Sequence, residues 1–309
     1  AQSSDMVGSL NELDTRLLVD LLRDRSKPDK SLGQHFLVDD GVIERTLQLS
    51  EEFGSPISEK SHVLEVGPGP GSLTLALLKK GASVTALEID EQSVLHLRRV
   101  FKDRECNLVV KMEDALSERW PKGISHMISN LPYQISSPIL ERIRKHHYSE
   151  PIQMCVLLVQ EEFAYRMAMT SAPYDLGSLG LNLWLDFEVF VDRRVPPNSF
   201  TPTPRVNSRL VVLRPVNRVE ADGINRQMFR IITRHCFSSR RKKMKTLLSQ
   251  PPPRISRVSG WYKGKWESSV SRLLKSDASG MEKGWSDLRP ENLSPEDWVT
   301  ITRKITSEQ

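Results

Sequence analysis

The fold is decided by residues 63–71, which read Val63-Leu64-Glu65-Val66-Gly67-Pro68-Gly69-Pro70-Gly71. The first four residues predict a short buried strand, and the apolar stretch 73–78 after the glycines predicts a helix. Strand, glycine loop and helix in this order open the parallel sheet of nucleotide-binding α/β proteins. We therefore predict a Rossmann-like α/β fold; the alternative is a glycine turn that serves packing alone.

The chemistry of this loop does not suit a dinucleotide. In a Gly-x-Gly-x-x-Gly pattern the third glycine would stand at Ser72, but here it comes one position early. Pro68 and Pro70 also remove two backbone N–H groups, the donors that a phosphate cradle needs. A ligand with an adenosine, a carboxylate and an amine but no phosphate fits better, and S-adenosylmethionine is such a ligand. Glu65 is the candidate partner of its amino-acid end, directly or through another residue.

Two acidic side chains stand at the ends of the next predicted strands. Glu88 ends the strand 84–88, about twenty residues after the glycine loop, where an acid receives ribose hydroxyls. Asp114 follows the strand at 108–112 and can accept the N6 protons of the cofactor's adenine, while the small Ala115 leaves room for the ring. Either acid alone is compatible with a solvated strand end. Two acids in register with the glycine loop favour a cofactor site.

The run Asn130-Leu131-Pro132-Tyr133 follows a predicted strand and indicates methylation of an aromatic amine. An exocyclic aromatic amine is a poor nucleophile because its lone pair is delocalised into the ring. The Asn130 side-chain oxygen and a neighbouring backbone carbonyl can accept the amino protons and localise that lone pair. Pro132 stiffens the turn, and Tyr133 offers a flat face to an extruded base. The alternative is a loop that ends a strand in this way by chance.

Residues 195–204 contain four prolines and predict a stiff, extended loop. We expect this loop to present Phe200 at the mouth of the site, opposite Tyr133, so that the two rings sandwich the target base. Packing of Phe200 within its own loop is the alternative.

Along the chain, strands alternate with helices, which predicts a parallel sheet with right-handed crossovers. Further strands are predicted at 154–159, 181–191 and 209–213, the last two as an antiparallel pair. We predict an N-terminal extension (1–30), a Rossmann-like methyltransferase domain (31–217) and a basic, helical C-terminal domain (218–309). The four tryptophans of the tail are expected to be core anchors of that domain.

The charge distribution is one-sided. The formal net charge is +5, and residues 223–266 contain no Asp or Glu. Such a block suggests a polyanionic partner, with solubility as the alternative reading. We expect Arg240, Arg241, Lys242 and Lys243 to contact RNA.

Composition excludes several other classes of protein. The three cysteines show no CxxC spacing, so neither a disulfide framework nor a zinc site is predicted, and a reducing compartment fits. Neither a membrane span nor a secretory signal is apparent. We expect a cytoplasmic, monomeric protein.

Together these motifs resemble the KsgA family of ribosomal RNA adenine dimethyltransferases, especially its archaeal and eukaryotic branch. The resemblance covers roughly residues 30–250 and rests on seven motifs in the right order. These are Gly33-Gln34-His35-Phe36-Leu37, residues 64–71, Leu87-Glu88-Ile89-Asp90, Glu113-Asp114-Ala115-Leu116, Asn130-Leu131-Pro132-Tyr133, Phe200-Thr201-Pro202-Thr203-Pro204 and Phe237-Ser238-Ser239-Arg240-Arg241-Lys242-Lys243.

The resemblance implies S-adenosylmethionine as cofactor and a substrate of two adjacent adenines near the 3′ end of small-subunit ribosomal RNA, in a pre-30S-type particle. Each adenine would be methylated twice at N6. The cofactor-binding residues that the resemblance implies are His35, Leu37, Gly67, Glu88, Asp114 and Asn130, and the further candidates are Gln34, Glu65, Gly69, Ile89 and Ala115.

The chain departs from the family pattern at Leu176 and Ser178, where a Tyr and an Arg are common, and at Glu161 and Asn207, which replace a usual Lys and Asp. These positions bear on RNA contacts rather than on the cofactor. Three alternatives stay open: a methyltransferase acting on DNA adenine or protein glutamine, a dimethyltransferase acting on large-subunit RNA, and a non-catalytic assembly or transcription factor.

Overall fold

The computed structural model describes residues 10–27, 29–104, 107–170, 176–276 and 280–307. The chain divides into two compact units. We call Ala1–Ala164 with Glu188–Pro215 the sheet unit, and Tyr165–Phe187 with Val216–Gln309 the helical unit. The catalytic domain expected from the sequence, 31–217, ended at nearly the same place but included 165–187, which the structure groups with the helical unit.

The described strands are β1 (Phe36–Leu37), β2 (His62–Val66), β3 (Ser83–Glu88), β4 (Leu108–Met112), β5 (His126–Asn130), β6 (Met154–Gln160), β7 (Phe187–Val195), β8 (Phe200–Thr201) and β9 (Ser208–Pro215).

The described α-helices are α1 (Thr15–Arg23), α2 (Asp40–Glu52), α3 (Ser72–Lys79), α4 (Glu91–Val100), α5 (Ser136–Ser149), α6 (Glu161–Ala168), α7 (Ser178–Trp184), α8 (Arg226–Phe237), α9 (Met244–Ser249), α10 (Lys263–Lys275) and α11 (Pro295–Thr306). Short 3-10 turns at Lys30–Leu32 and Tyr133–Ile135 belong to the site described below.

Within the described residues, seven strands form the main sheet in the order β4-β3-β2-β5-β6-β9-β7. Strands β2 to β6 pair in parallel, whereas β9 runs antiparallel to β6. The chain order reverses between β2 and β5, and ligands of open α/β sheets bind outside the carboxyl ends of the strands at such a point. The Rossmann-like fold predicted from the glycine loop is confirmed.

One strand prediction was partly wrong. Residues 181–184, predicted as the start of a strand, belong to helix α7, and β7 begins only at Phe187. The alternating leucines suggested a strand, but Leu181 and Leu185 lie four positions apart and both pack in the core of the helical unit. The Asn182 side chain stabilises the N-terminal turn of α7, because its Nδ2 donates to the Ser178 carbonyl at 2.7 Å.

The tryptophans of the tail are buried, as predicted. Trp266 and Trp298 are fully buried, and Trp261 and Trp285 nearly so, in the hydrophobic core shared by α8, α10 and α11. The indole N–H of Trp266 donates to the Leu248 carbonyl at 2.8 Å, which satisfies its polar atom. These rings therefore anchor a core. Residues 240–243, which lie in the C-terminal domain predicted to be helical, form a turn before α9.

The described part of the chain can be compared with the expectations about membrane spans, cysteines and metal sites. No described helix is long and apolar enough to cross a membrane. Cys155 and Cys236 are free thiols whose pKa is raised by burial, and Cys106 lies outside the described residues. No cluster of His, Cys, Asp and Glu among the described residues could hold a metal ion.

Candidate active site

A pocket lies at the carboxyl ends of the parallel strands, where the chain order reverses. It is lined by residues 31–37, 65–70, 72–73, 87–89, 113–115 and 130–135. Every residue predicted to bind the cofactor is among them, as are Leu131, Pro132 and Tyr133. The sheet brings four separate motifs to one place, because β2, β3, β4 and β5 all end at the same edge, and a fifth motif, residues 33–37, reaches the pocket from outside the main sheet.

Glycine is required where the loop after β2 passes close to its neighbours. Gly67 has φ +67°, and a Cβ there would lie 3.1 Å from the ring of Pro132. Gly69 has φ +54°, and its Cβ would lie 3.1 Å from the ring of Phe36. Residues with a side chain rarely adopt such φ values, so a substitution at either glycine would both strain the backbone and displace the neighbouring ring.

Glu88 is fixed at the pocket wall by backbone donors. Its carboxylate accepts the Gly69 N–H at 3.1 Å and the Asp90 N–H at 3.2 Å. Burial raises its pKa, while these two hydrogen bonds oppose the rise. A carboxylate has about four lone-pair sites, so acceptor capacity remains for a ligand's hydroxyl groups.

Glu65 is a buried acid with no ion pair among the described residues. Its side chain accepts a hydrogen bond from the Thr74 hydroxyl and is 2% exposed. Burial, with a smaller contribution from the charge of Glu88, raises the pKa of Glu65 to about 8. A neighbouring ammonium group would favour the charged carboxylate. The site therefore suits the amine of an amino-acid ligand.

Ser72 is a pocket residue that the sequence analysis regarded only as a missing glycine. It is 5% exposed, and its hydroxyl has no hydrogen-bond partner among the described residues. It begins α3, where the first backbone N–H groups of a helix also lack intrahelical partners. An unpaired, buried donor at a helix N-terminus suits a carboxylate. Together with Glu65 and Glu88, it fits S-adenosylmethionine better than a phosphate-bearing nucleotide.

Asp114 and Ala115 form the third wall of the pocket. The Leu116 N–H donates to Asp114 Oδ1 at 2.9 Å, which leaves the carboxylate capacity to accept from an amine. The indole N–H of Trp120 donates to the Ala115 carbonyl at 2.9 Å. Trp120, which the sequence analysis did not single out, therefore fixes the turn that carries both residues.

The orientation of Asn130 follows from its partner. Its Nδ2 donates to the backbone carbonyl of His35 at 3.2 Å. A carbonyl oxygen can only accept, so the NH₂ group must face it and Oδ1 is left as an acceptor. The structure thus presents the acceptor that methylation of an aromatic amine requires.

Tyr133 is held at both ends. Its ring stacks on that of His35, with centroids 5.3 Å apart and planes 26° from parallel, and its hydroxyl hydrogen-bonds Ser208 Oγ at 3.0 Å. Burial raises the pKa of Tyr133. His35 is fixed in turn by a hydrogen bond from Nδ1 to the Pro202 carbonyl, 2.8 Å. The imidazole covers one face of the Tyr133 ring, so a base can stack only on the opposite face.

The expectation for Phe200 was wrong. Phe200 is 2% exposed, packs in the hydrophobic core of the sheet unit and does not line the pocket. The reason is the pairing of β8 with β1, which places Phe200 opposite the buried Leu37. The proline-rich loop contributes the carbonyl of Pro202 to the site instead, and the ring beside Tyr133 is that of His35.

The departures from the family pattern have local structural partners. Glu161 accepts from Nε of Arg194 at 2.7 Å and of Arg209 at 2.8 Å, and the first of these bonds contributes most to lowering its pKa. In the helical unit, Ser178 Oγ hydrogen-bonds Thr233 Oγ1 at 2.9 Å. Glutamate in place of lysine therefore sits in a matched charge environment.

The four basic residues expected to contact RNA differ in their surroundings. Arg240 is half-buried over the ring of Phe237 and donates to the Leu176 carbonyl. Lys243 pairs with Asp287 at 3.4 Å. Arg241, Lys242 and Lys243 are all exposed, but no ion pair of Arg241 or Lys242 is found within the described residues, so these two are the better candidates for contacts with a phosphate backbone.

A mostly parallel Rossmann-like sheet with an acid-lined pocket at its reversal point defines an S-adenosylmethionine-dependent methyltransferase fold. The chain belongs to the ribosomal RNA adenine dimethylase family, whose sequence profile matches residues 25–257. It is accordingly an enzyme that methylates adenine in ribosomal RNA, and the resemblance stated from the motifs is confirmed.

Its relatives include archaeal and bacterial proteins. One is the probable ribosomal RNA small subunit methyltransferase A of Thermococcus gammatolerans, 35% identical over 209 residues that cover 68% of this chain and 71% of the relative. Another is the ribosomal RNA small subunit methyltransferase A of Porphyromonas gingivalis, 32% identical over 284 residues, 90% of this chain and 97% of the relative.

Solved structures agree on the fold. A dimethyladenosine transferase from Plasmodium falciparum is similar with a TM-score of 0.69 at 24% identity, covering 85% of this chain and 94% of that one. The 23S rRNA methyltransferase ErmE is similar with a TM-score of 0.60 at 22% identity, covering 88% and 99%.

Proposed function

We propose that this protein transfers methyl groups from S-adenosylmethionine to N6 of two adjacent adenosines near the 3′ end of small-subunit ribosomal RNA, giving N6,N6-dimethyladenosine. The observation that carries the proposal is the orientation of Asn130, a pocket residue whose Nδ2 donates to the His35 carbonyl, so that its oxygen remains as an acceptor. The names of the relatives support the small subunit as substrate.

The cofactor, when bound, supplies an electrophilic methyl group on a sulfonium. Glu88 would hold the ribose hydroxyls, and Asp114 the adenine amine. Glu65 and Ser72 would hold the amine and the carboxylate of the amino-acid end. Gly67 and Gly69 both line the pocket, and neither carries a side chain that would stand between the backbone and the ligand.

The chain's own part in the reaction is to prepare the nucleophile. The target adenine leaves its stack and lies against the free face of Tyr133. Asn130 Oδ1 and the Leu131 carbonyl accept the two N6 protons, which turns the lone pair away from the ring. Positioning and fixed dipoles then lower the barrier. No base is needed beforehand, because the N6 proton becomes acidic only after nitrogen has formed its new bond.

The second transfer is more demanding, because N6 then carries one methyl group and only one proton. One of the two acceptors must hold that proton while the pocket accommodates the methyl group. We propose that Pro132, with its rigid ring, fixes the distance between the two acceptors in both rounds.

The proposed substrate also accounts for the charge of the helical unit. Arg241 and Lys242 would contact phosphates of the rRNA within a pre-30S-type particle, and a monomer suffices for the site because the pocket is built within the sheet unit. We expect the enzyme in the compartment where small subunits assemble, which we predict to be the cytoplasm.

The test is transfer of labelled methyl from S-adenosylmethionine to undermethylated small subunits, followed by digestion to nucleosides. Dimethyladenosine in small-subunit rRNA is the expected product. Monomethyladenosine alone would contradict the account of the second transfer. Absence of label, with S-adenosylhomocysteine still bound, would favour the non-catalytic assembly factor.

A further inference from the structure

Two segments that line the pocket are joined by the side chain of Gln134. The N-terminal segment is residues 31–37, and the catalytic loop is residues 130–135. Gln134 Nε2 donates to the Ser31 carbonyl at 3.1 Å. Gly33 has φ +64°, and a Cβ there would lie between 2.0 and 2.8 Å from the amide atoms of Gln134. The Gln134 amide therefore rests directly on the backbone of Gly33.

The same two segments meet at both groups that handle the target base. The His35 carbonyl accepts from Asn130 Nδ2, and the His35 ring stacks on Tyr133. The conformation of the N-terminal segment thus determines how the amide acceptor and the stacking face are presented. Any movement of the segment away from Gln134 would be transmitted to both.

The first part of the N-terminal segment, residues 31–34, has modest support of its own, whereas Phe36 and Leu37 are buried. Asp29 accepts from the Ser31 N–H at 2.8 Å and from its hydroxyl at 2.6 Å, and Gln34 Oε1 accepts from the Asp29 N–H at 2.6 Å. All three of these bonds are exposed. Segments held by exposed bonds open most readily, so a ligand that contacts them contributes to their order.

We propose that Gln134 couples the cofactor site to the base site. This inference rests on the proposed function. A cofactor bound against the N-terminal segment holds that segment in one conformation. Through its hydrogen bond to Ser31, Gln134 then restrains the conformation of the catalytic loop as well. Gln134 is thus a positioning residue. Coupling between two ligands is reciprocal, so each should raise the affinity for the other, here by about 5-fold or more.

The experiment compares the Kd of undermethylated small subunits with and without saturating S-adenosylhomocysteine, which occupies the cofactor site without reacting. For the unaltered chain the ratio of the two Kd values should be about 5 or more. The reverse ratio, for S-adenosylhomocysteine with and without subunits, should agree with it.

Two variants isolate the contact. Gln134→Glu keeps the size of the side chain but offers the Ser31 carbonyl no N–H, and Gln134→Ala removes the contact with Gly33 as well. Gln134 is exposed, so neither change should prevent folding. Gln48→Ala, at an exposed glutamine of α2, is the matched control. We expect a ratio near 1 in both Gln134 variants and the original ratio in the control, with KM for subunits raised more than kcat is lowered.

A ratio near 1 in the unaltered chain, with both ligands bound, would overturn the coupling while leaving the proposed function intact. A full ratio in Gln134→Glu and Gln134→Ala would overturn the assignment to Gln134. Failure of the unaltered chain to bind either ligand would contradict the proposed function and the coupling with it.

Discussion

At the scale of single residues, the hydrogen-bond partner of Asn130 determines which end of its amide is left for a substrate. Asparagine carries a donor and an acceptor of nearly equal size, and only the surroundings decide which one faces a substrate. Here the His35 carbonyl binds the donor, so the acceptor remains for the N6 protons. The pattern Asn-x-Pro-Tyr indicated this chemistry from the sequence, but the partner that orients Asn130 lies 95 residues away and was not predictable.

We expect Asn130→Ala to lower kcat by about 100-fold or more, because an acceptor that acts on the reacting amine is lost. S-adenosylhomocysteine should still bind, since Glu65, Glu88 and Asp114 remain. Both quantities can be measured on the same preparation, by labelled methyl transfer and by calorimetry. Full activity in Asn130→Ala would contradict its assignment as the N6 acceptor.

The protonation state of Glu65 should change when a ligand binds. With its pKa at about 8, compared with an ordinary value of 4.5, the carboxyl is mostly protonated at pH 7 in the free protein. A ligand ammonium favours the carboxylate, so binding of S-adenosylhomocysteine at pH 7 should release up to about one proton. Calorimetry in buffers of different ionisation enthalpy measures this release, and Glu65→Gln should abolish it.

The same acid affects stability. Between pH 4.5 and about 8 the folded chain holds a proton on Glu65 that the unfolded chain has lost. The free energy of unfolding therefore falls as pH rises through this window. Glu65→Gln should reduce this slope in the ligand-free protein. An unchanged slope would mean that Glu65 is already ionised there.

At the scale of elements, most of the parallel strands were predictable because β2, β3, β4 and β6 are short apolar runs that end at or just before a glycine or an acid. The glycine loop, Glu88 and Asp114 could be brought together from the sequence alone, because the ends of parallel strands share one edge. Helix α7 and Phe200 could not. Alternating leucines fit a strand until the helical unit buries Leu181 and Leu185, and β8 is too short to be recognised before it pairs with β1.

Trp120 supports one of these strand ends, and its removal has a specific cost. Trp120→Phe keeps an aromatic ring but leaves the buried Ala115 carbonyl without its donor, which typically costs about 1–3 kcal/mol. We expect a lower free energy of unfolding and a KM for S-adenosylmethionine raised more than kcat is lowered. Trp261→Phe, at a buried tryptophan of the helical unit, is the control and should leave KM unchanged.

At the scale of the whole molecule, the two tasks of the proposed function fall in different units. The sheet unit contains the pocket, and the helical unit contains the acid-free block, 223–266, which we propose contacts the RNA backbone. Net charge alone could not have identified which cations are available. The structure distinguishes Arg241 and Lys242 from the half-buried Arg240, which donates to the Leu176 carbonyl, and from the exposed Lys243, which pairs with Asp287.

Binding to small subunits should therefore depend on salt through Arg241 and Lys242. If Arg241 and Lys242 each neutralise a phosphate, their joint replacement by alanine should reduce the slope of log K against log salt by about 1.4–1.8 for binding to small subunits. KM for subunits should rise, while the Kd for S-adenosylhomocysteine should stay the same, since neither residue lines the pocket. The matched control replaces Lys79 and Lys80, an exposed pair in the sheet unit, and removes the same charge. Equal loss of slope in both double variants would mean that overall charge, and not this turn of the helical unit, attracts the RNA.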